Sequence, residues 1–267
     1  MPLYDSHLHL QDPRLKSLLG NLSETYADMD VEKVIVNGTE ESDWEEVGQL
    51  SELFPFVKPA FGLHPWHIFD RSPYWLGNLE YCIDHYKGFV GEIGLDRWIE
   101  HHDFDDQIEV FKKQLQLATR KGVPASIHCL KAWGKLLEIL QEEKLPAQGV
   151  LLHSYSGPRE MVPQFVELGS YFSFCGYFLL DRKEKVRATF QTIPIDRILV
   201  ETDAPDQGLP EGKDLYHLNA PEDGKSINHP GNIAAVYDGL AQTLGISADK
   251  LIEQVAKNYR GLFESDN

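Results

Sequence analysis

Cysteine is scarce in this 267-residue chain, and the few cysteines are far apart. Cys82, Cys129 and Cys175 form no CxxC pair, which argues against both a disulfide framework and a thiolate zinc site. Cys129 follows His128 directly. Neighbouring residues on a strand point to opposite faces, however, so the thiol is not expected to share a site with that histidine.

Positive charge is also in short supply. Lys and Arg number 25 against 42 Asp and Glu, which gives a formal net charge of −17. Proteins that grip duplex DNA along its backbone usually carry a basic face. No block of Lys or Arg occurs here, so no extended nucleic-acid-binding surface is expected. DNA or a small phosphodiester would have to be engaged mainly at the site, where bound cations reverse the local sign.

Long hydrophobic runs are missing too. No apolar stretch approaches the roughly 20 residues of a membrane span. The first residues, MPLYDSHLHL, lack the basic and apolar segments of a secretory signal. We therefore expect a cytoplasmic protein without membrane attachment. The 42% of hydrophobic residues suffices for a sizeable core. Without linkers or repeats, residues 1–267 are predicted to form a single domain; the sequence does not indicate its oligomeric state.

Short apolar runs alternate with longer amphipathic segments. The predicted strands are 3–9, 33–37, 57–63, 88–93, 123–128, 150–153, 171–174 and 197–202, and the clearest helices are 104–121 and 132–143. Eight strands alternating with helices predict an α/β fold, a (β/α)₈ TIM-type barrel. Residues 204–228 are predicted to form a long loop of functional importance. Residues 232–263 are predicted to be helical and to pack outside the barrel.

Potential metal ligands fall at the ends of the predicted strands. They are His7, His9, Glu92, His128, His153 and Asp203. In a (β/α)₈ barrel these strand ends meet at one face, where such enzymes place their chemistry. Each histidine taken alone is equally explained as an ordinary buried residue, and Glu92 as half of a salt bridge. Taken together, they predict a metal site at the C-terminal ends of the strands.

Three of these positions have a specific geometric or chemical rationale. His7 and His9 alternate on a strand, so both imidazoles can face one ion. Glu92 lies in an apolar strand, where an unpaired carboxylate would be costly, and its two oxygens can bridge two ions. Asp203 can hold an ion, orient its water and accept a proton. Glu201, two residues before it, is equally compatible with a structural role and a role in the site.

Short motifs at these residues resemble the TatD-type metal-dependent hydrolases of the amidohydrolase superfamily. They are DSHLHL at 5–10, GLHPW at 62–66, GEIGLD at 91–96, IHCLKAW at 127–133, HSYSG at 153–157, ETDAP at 201–205 and NHPGNI at 228–233. They cover nearly the whole chain in the family's order. The resemblance implies a (β/α)₈ barrel that hydrolyses its substrate at a divalent-metal centre, often with two ions.

The resemblance also implies roles for individual residues. It assigns one ion to His7, His9, Glu92 and Asp203, and a second to Glu92, His128 and His153. It places His64 near the scissile phosphate, although a plain turn histidine before Pro65 is the alternative. The family's activity is a metal-dependent deoxyribonuclease, typically exonuclease-like.

The chain departs from the family pattern in the segments that face substrate. Leu130 replaces a common arginine and is followed by Lys131. Pro205-Asp206-Gln207 replaces PYL, and the loop after it is longer. Arg97-Trp98 replaces the usual tyrosines after GEIGLD. The predicted catalytic residues are Asp203 and His64, and the predicted substrate-binding residues are His64, Lys131 and Arg97.

Three functional hypotheses follow. The first is a phosphodiesterase-type hydrolase, a 3′–5′ deoxyribonuclease with a metal-activated water. The second is an amidase, deaminase or lactonase that acts on a small carbonyl substrate, since one Lewis-acidic ion and a proton shuttle also suit that chemistry. The third is a metal-stabilised scaffold without catalysis. One or two divalent ions are expected, and the ligand types admit Zn, Mn, Ni, Co, Fe or Mg without choosing among them.

Overall fold

A computed structural model describes residues 1–100 and 103–264. Eight parallel strands form one sheet, in which each strand pairs with its neighbour in chain order. They are β1 (Leu3–Leu8), β2 (Val31–Asn37), β3 (Val57–Phe61), β4 (Phe89–Asp96), β5 (Ala125–Leu130), β6 (Val150–Leu152), β7 (Ser170–Phe174) and β8 (Ile198–Val200). The strands are buried along most of their length, as expected for apolar runs covered by helices.

Helices cover this sheet from outside. They are α1 (Leu19–Asp28), α2 (Trp44–Leu53), α3 (Trp75–Tyr86), α4 (Phe104–Lys121), α5 (Trp133–Glu142), α6 (Val162–Glu167), α7 (Glu184–Phe190), α8 (Ile233–Leu244) and α9 (Ala248–Phe263). Helix α4 shows why the bounds fall where they do. The Asp103 side chain accepts a hydrogen bond from the Asp106 N–H at its start, and Gly122 ends it in the left-handed conformation.

The sheet closes on itself between its first and last strands. The backbone N–H of Asp203 donates to the His7 carbonyl (2.9 Å), and that of His9 donates to the Ala204 carbonyl (2.8 Å). The Ser6 hydroxyl donates to the Val200 carbonyl (3.0 Å). These bonds join β1 to the end of β8. The predicted (β/α)₈ barrel is therefore confirmed.

Two regions differ in detail from the prediction. The predicted long loop over 204–228 contains a short antiparallel hairpin that was not predicted, formed by β9 (His217–Asn219) and β10 (Ser226–Asn228). Asn232 anchors this segment: its side-chain oxygen accepts hydrogen bonds from the N–H groups of Leu215 and Tyr216. The predicted C-terminal helical segment is two helices, α8 and α9, separated at Gly245.

Strands β4 and β5 leave no room for a side chain at Gly94. This residue has φ +153°, and a Cβ added there would lie 1.9 Å from the His128 carbonyl oxygen, its register partner. Any side chain would push the two strands apart where Glu92 and His128 meet. Glycine therefore sets the spacing of one wall of the site.

Cys82, Cys129 and Cys175 are buried free thiols. Burial raises the pKa of the Cys129 thiol, which opposes formation of a nucleophilic thiolate. Among residues 1–100 and 103–264, no helix combines the length and apolar character that a bilayer crossing demands.

Candidate metal centre

Glu92 lies at the centre of the predicted ligand cluster. One carboxylate oxygen, Oε2, is 3.2 Å from His7 Nε2 and 3.4 Å from His9 Nε2. These two histidines alternate at the end of β1, so their side chains share one face of the strand. Asp203 completes this half of the cluster: its Oδ1 is 3.5 Å from His9 Nε2 and 3.8 Å from His7 Nε2.

The other oxygen of Glu92 faces a different set of imidazoles. Oε1 is 3.0 Å from His128 Nδ1 and 2.8 Å from His153 Nε2. His64 Nε2 also lies 3.4 Å from it. The structure thus brings together all six residues that the sequence singled out as ligands, with one oxygen of Glu92 directed to each half. A carboxylate so placed has the geometry required to bridge two cations.

Neutral groups hold the two histidines of the β1 half. His9 Nδ1 lies 2.8 Å from the Asn37 carbonyl, which can only accept, so this nitrogen carries the proton. His7 Nδ1 lies 3.0 Å from the Ser126 hydroxyl. Both contacts leave Nε2 turned towards Glu92 and Asp203. Because Nδ1 keeps its proton, the neutral form of His9 would present the Nε2 lone pair to the cluster.

Carboxylates lie behind the histidines of the other half. His128 Nε2 lies 3.1 Å from Asp96 Oδ2, so its proton points outward and Nδ1 faces Glu92. His153 Nδ1 lies 3.6 Å from Glu201 Oε1, which also accepts hydrogen bonds from the Ser154 N–H and hydroxyl. Glu201 therefore lies behind His153 but outside hydrogen-bond distance, and His153 Nδ1 has no hydrogen-bond partner among the described residues.

These contacts allow a test of whether the residues fit a metal. Imidazole lone pairs aimed at a buried carboxylate repel it unless a positive charge lies between them. Three sets of side chains have ligand atoms within 4.8 Å of one another: His7 with His153 and Asp203, His7 with His9 and Glu92, and His64 with Glu92 and His128. Imidazole and carboxylate together suit divalent transition metals. The donor set fits such ions well.

The pKa values of the cluster express the same demand for positive charge. Burial disfavours the charged form of Glu92, but the surrounding histidines, His153 first, hold its pKa well below the usual range. Burial likewise opposes protonation of His9, yet the hydrogen bond to Asp203 and the charge of Glu92 raise its pKa to about 9. Burial lowers the pKa of His7. Without a metal, protons on some histidines supply the charge that balances the carboxylates.

His64 lies at the edge of the cluster and differs from the other histidines. Its Nδ1 accepts a hydrogen bond from the Trp66 backbone N–H (3.1 Å), so Nε2 carries the proton and faces the site. Burial lowers the pKa of His64 to about 4. In the metal-free protein, this imidazole is a neutral hydrogen-bond donor at neutral pH rather than a positive charge.

The two predicted substrate-binding cations lie on the exposed rim. Arg97 follows β4 directly, and its guanidinium carbon lies 3.7 Å from the centroid of the Phe104 ring, so it is engaged with the start of α4. Lys131 follows β5 with a left-handed φ of 54°, and its ammonium lies 6.0 Å from the centroid of the Trp98 ring. Neither residue touches the ligand cluster directly.

One residue beside the cluster, Asp96, escaped the sequence reasoning. Asp96 is fully buried and receives hydrogen bonds from the Trp66 indole (2.7 Å) and the Trp98 backbone (2.6 Å) as well as contacting His128. The hydrogen bond and charge of His128 overcome burial and lower the pKa of Asp96 to about 2. A signal was present, because Asp96 is four residues after Glu92 and shares its face of β4.

Comparisons with known proteins identify the family of this chain. Residues 4–264 match the family described as TatD related DNase. The chain is 29% identical to the human protein named deoxyribonuclease TATDN3, over 98% of this chain and 94% of that protein. It is 27% identical to a Bacillus subtilis protein named uncharacterized metal-dependent hydrolase YabD, with 98% of both chains covered.

A solved structure extends the likeness to three dimensions. The crystal structure of the TatD homologue YjjV from Escherichia coli superposes with a TM-score of 0.88 and 28% identity, covering 99% of this chain and 98% of that one. Sequence and backbone therefore agree over essentially the full length. This protein belongs to the TatD-related DNase family.

Proposed function

We propose that this protein is a divalent-metal-dependent phosphodiester hydrolase, a TatD-like 3′–5′ deoxyribonuclease. The observation that carries the proposal is the division of Glu92, one oxygen towards His7 and His9 and the other towards His128 and His153. Paired ions about 3.5–4 Å apart suit in-line displacement at phosphorus. Membership of the family and the name of the human relative support the same activity.

Each residue of the site has a part in the proposed reaction. When bound, divalent ions lower the pKa of water and offset charge on the phosphoryl oxygens. His7, His9, Glu92, His128, His153 and Asp203 would hold them. The Asp203 carboxylate orients the attacking water and accepts its proton. The Nε2–H of His64 donates a hydrogen bond to a non-bridging oxygen, and Lys131 and Arg97 lie on the rim for neighbouring phosphates.

One observation favours the alternative, a metal-dependent amidohydrolase or lactonase. A cavity of about 640 Å³ beside Pro205 has four acidic side chains in its lining, namely Asp206, Asp214, Glu222 and Asp223. Of its two basic residues, Arg14 is paired with Asp206 and Lys225 with Asp223. This side of the rim repels a polyanionic strand. A small neutral carbonyl substrate would meet no such penalty.

Parallel assays separate these activities. We expect the purified protein, stripped with a chelator and refilled in turn with Zn²⁺, Mn²⁺, Mg²⁺ or Ni²⁺, to hydrolyse bis-(p-nitrophenyl) phosphate and a short oligonucleotide. A lactone and ester panel tests the alternative. Phosphodiester turnover no faster than that of the ions alone contradicts the first function. No hydrolysis of either class, with the ions bound, supports a non-catalytic scaffold.

The metal content and the polarity of digestion need their own measurements. Elemental analysis of the purified protein counts the ions per chain and identifies them. An oligonucleotide labelled at its 5′ end reports polarity, since 3′–5′ digestion gives a descending ladder of labelled products. Asp203→Asn should abolish turnover with the fold retained, and full activity in that variant rules out its proposed role.

A further inference from the structure

Two of the five tryptophans are exposed, and both lie at the rim of the metal centre. Trp44, Trp75 and Trp133 are buried, whereas Trp66 is 47% exposed and Trp98 is 60% exposed. Trp66 lies in the loop after β3, and Trp98 lies two residues after the end of β4. Strand ends at this face of the barrel surround the ligand cluster. The exposed indoles are therefore confined to the side of the molecule where substrate would enter.

A single buried carboxylate fixes both tryptophans. Asp96 Oδ2 accepts a hydrogen bond from Trp66 Nε1 (2.7 Å), and Asp96 Oδ1 accepts one from the Trp98 backbone N–H (2.6 Å). The same Oδ2 lies 3.1 Å from His128 Nε2. The indole N–H of Trp66 is thereby satisfied from the protein side, which leaves its exposed ring surface for an apolar or stacking contact.

The distances place Trp66 against the cluster itself. Its ring centroid is 5.0 Å from that of His64 and 6.5 Å from that of His128. A planar group resting on this indole would lie beside a substrate atom held by His64. The planar group would then be the group of a short substrate that follows the reacting one.

Charge at this side of the rim favours an anion beside the planar group. Lys131 is exposed, and no carboxylate of the described chain pairs with its ammonium, which lies over Trp98. The opposite side, around the cavity next to Pro205, is acidic. A substrate that carries both a flat ring and a negative charge therefore fits the tryptophan side and is repelled from the other.

We propose that Trp66 and Trp98 form a stacking site for a nucleobase of the substrate strand, with Lys131 meeting the adjacent phosphate. This inference rests on the proposed phosphodiesterase function. Because every nucleobase has a flat π surface, the site accepts any base and confers a requirement for a base rather than a sequence preference. It also requires an unpaired base, since stacking on an indole competes with pairing and stacking in a duplex.

Binding of a product-like ligand tests the site without turnover. The probes are thymidine 5′-monophosphate and 2-deoxyribose 5-phosphate, which share a sugar and a phosphate but differ by the base. Affinities for the metal-loaded protein are measured by calorimetry and by the ligand-induced change in tryptophan fluorescence, which reports on indoles that contact the ligand. We expect the base to tighten binding by about 5- to 100-fold, the range set by stacking on an aromatic side chain.

Substitutions locate the effect. Trp98→Ala should remove most of the preference for the base-bearing probe, because it weakens binding of thymidine 5′-monophosphate far more than binding of the sugar phosphate, and Trp98→Phe should restore the preference. Tyr81→Ala is the matched control, because Tyr81 is 62% exposed but lies on the outer helix α3. Equal affinity for both probes in the wild type overturns the proposal, as does an equal loss for both probes in Trp98→Ala.

The outcome is separable from that of the proposed function. Base-dependent binding at Trp98 in a protein that hydrolyses no phosphodiester would retain the stacking site and reject the nuclease activity. Hydrolysis of bis-(p-nitrophenyl) phosphate with no preference between the two probes would retain the activity and reject the stacking site.

Discussion

The two halves of the metal centre differ in what stands behind their histidines. His7 and His9 are held by a hydroxyl and a backbone carbonyl, at 3.0 and 2.8 Å. His128 and His153 are backed by the carboxylates of Asp96 and Glu201, at 3.1 and 3.6 Å. A carboxylate behind an imidazole fixes its tautomer and makes it a stronger base towards a metal.

Ligand identity and ligand strength therefore depend on separate parts of the sequence. The HxH pair of β1 is the most recognisable motif, yet neutral groups support it. The less recognisable half has a carboxylate behind each imidazole, but only Asp96 lies within hydrogen-bond distance of its histidine. Asp203 adds a direct negative charge to the β1 half, so the comparison between the halves is open to measurement.

The largest loss of activity is expected from substitution of Glu92, which contacts the histidines of both halves. Glu92→Ala should lower activity by about 10³-fold or more, since a metal centre supplies several kcal/mol of transition-state stabilisation. It should also reduce the number of ions that elemental analysis finds per chain. Thermal unfolding measured in parallel shows whether the fold is kept. Two ions per chain in a folded Glu92→Ala protein would contradict the bridging position.

The next effect separates the halves. Asp96→Asn should weaken binding of one ion by about 10- to 100-fold, the usual cost of losing an outer partner of a metal ligand. Ser126→Ala, the matched change behind His7, should weaken binding by only about 3-fold, because a neutral hydroxyl contributes a weaker hydrogen bond than a carboxylate. Competition with a chromophoric chelator measures both. Equal losses in the two variants would erase the distinction.

Proton release gives a further distinction by pH. Because the pKa of His9 is raised to about 9, the metal-free protein carries a proton there at pH 7 and must lose it when an ion binds. The contribution of His9 to proton release should therefore be largest near pH 7 and vanish as the pH rises through 9. His7, whose pKa burial lowers, should contribute none. Calorimetry in buffers of different ionisation enthalpy counts all the protons released, including those of His128 and His153, whose pKa values are raised despite burial by the carboxylates beside them. The contribution of His9 is the part of the count at pH 8 that Asp203→Asn should reduce.

A smaller effect than that of Asp96→Asn is expected at the longer contact. Glu201 is 3.6 Å from His153, beyond an ordinary hydrogen bond, and Ser154 already occupies its nearer oxygen. Glu201→Gln should therefore weaken metal binding less than Asp96→Asn does, by about 3- to 10-fold. The same chelator competition measures it. A larger loss than that of Asp96→Asn would show that charge, rather than contact geometry, sets ligand strength here.

The sequence predicted the barrel and the convergence of ligands because both depend on local pattern. Strand ends in a parallel barrel share a face, so placing His128 or Asp203 at a strand end was sufficient to place it near Glu92. Contacts between separate segments were out of reach. The pairing of Asp96 with Trp66, and the anchoring of the β9–β10 hairpin by Asn232, depend on loop paths that no periodicity encodes.

The backbone bonds that join β1 to the end of β8 lie within the ligand cluster itself. An ion bound by His7, His9 and Asp203 would thus link the first and last strands of the barrel across the seam where they meet. Loading it should slow hydrogen exchange along that seam before it affects the far wall. Opening of the barrel at this seam and loss of catalytic activity would then occur together.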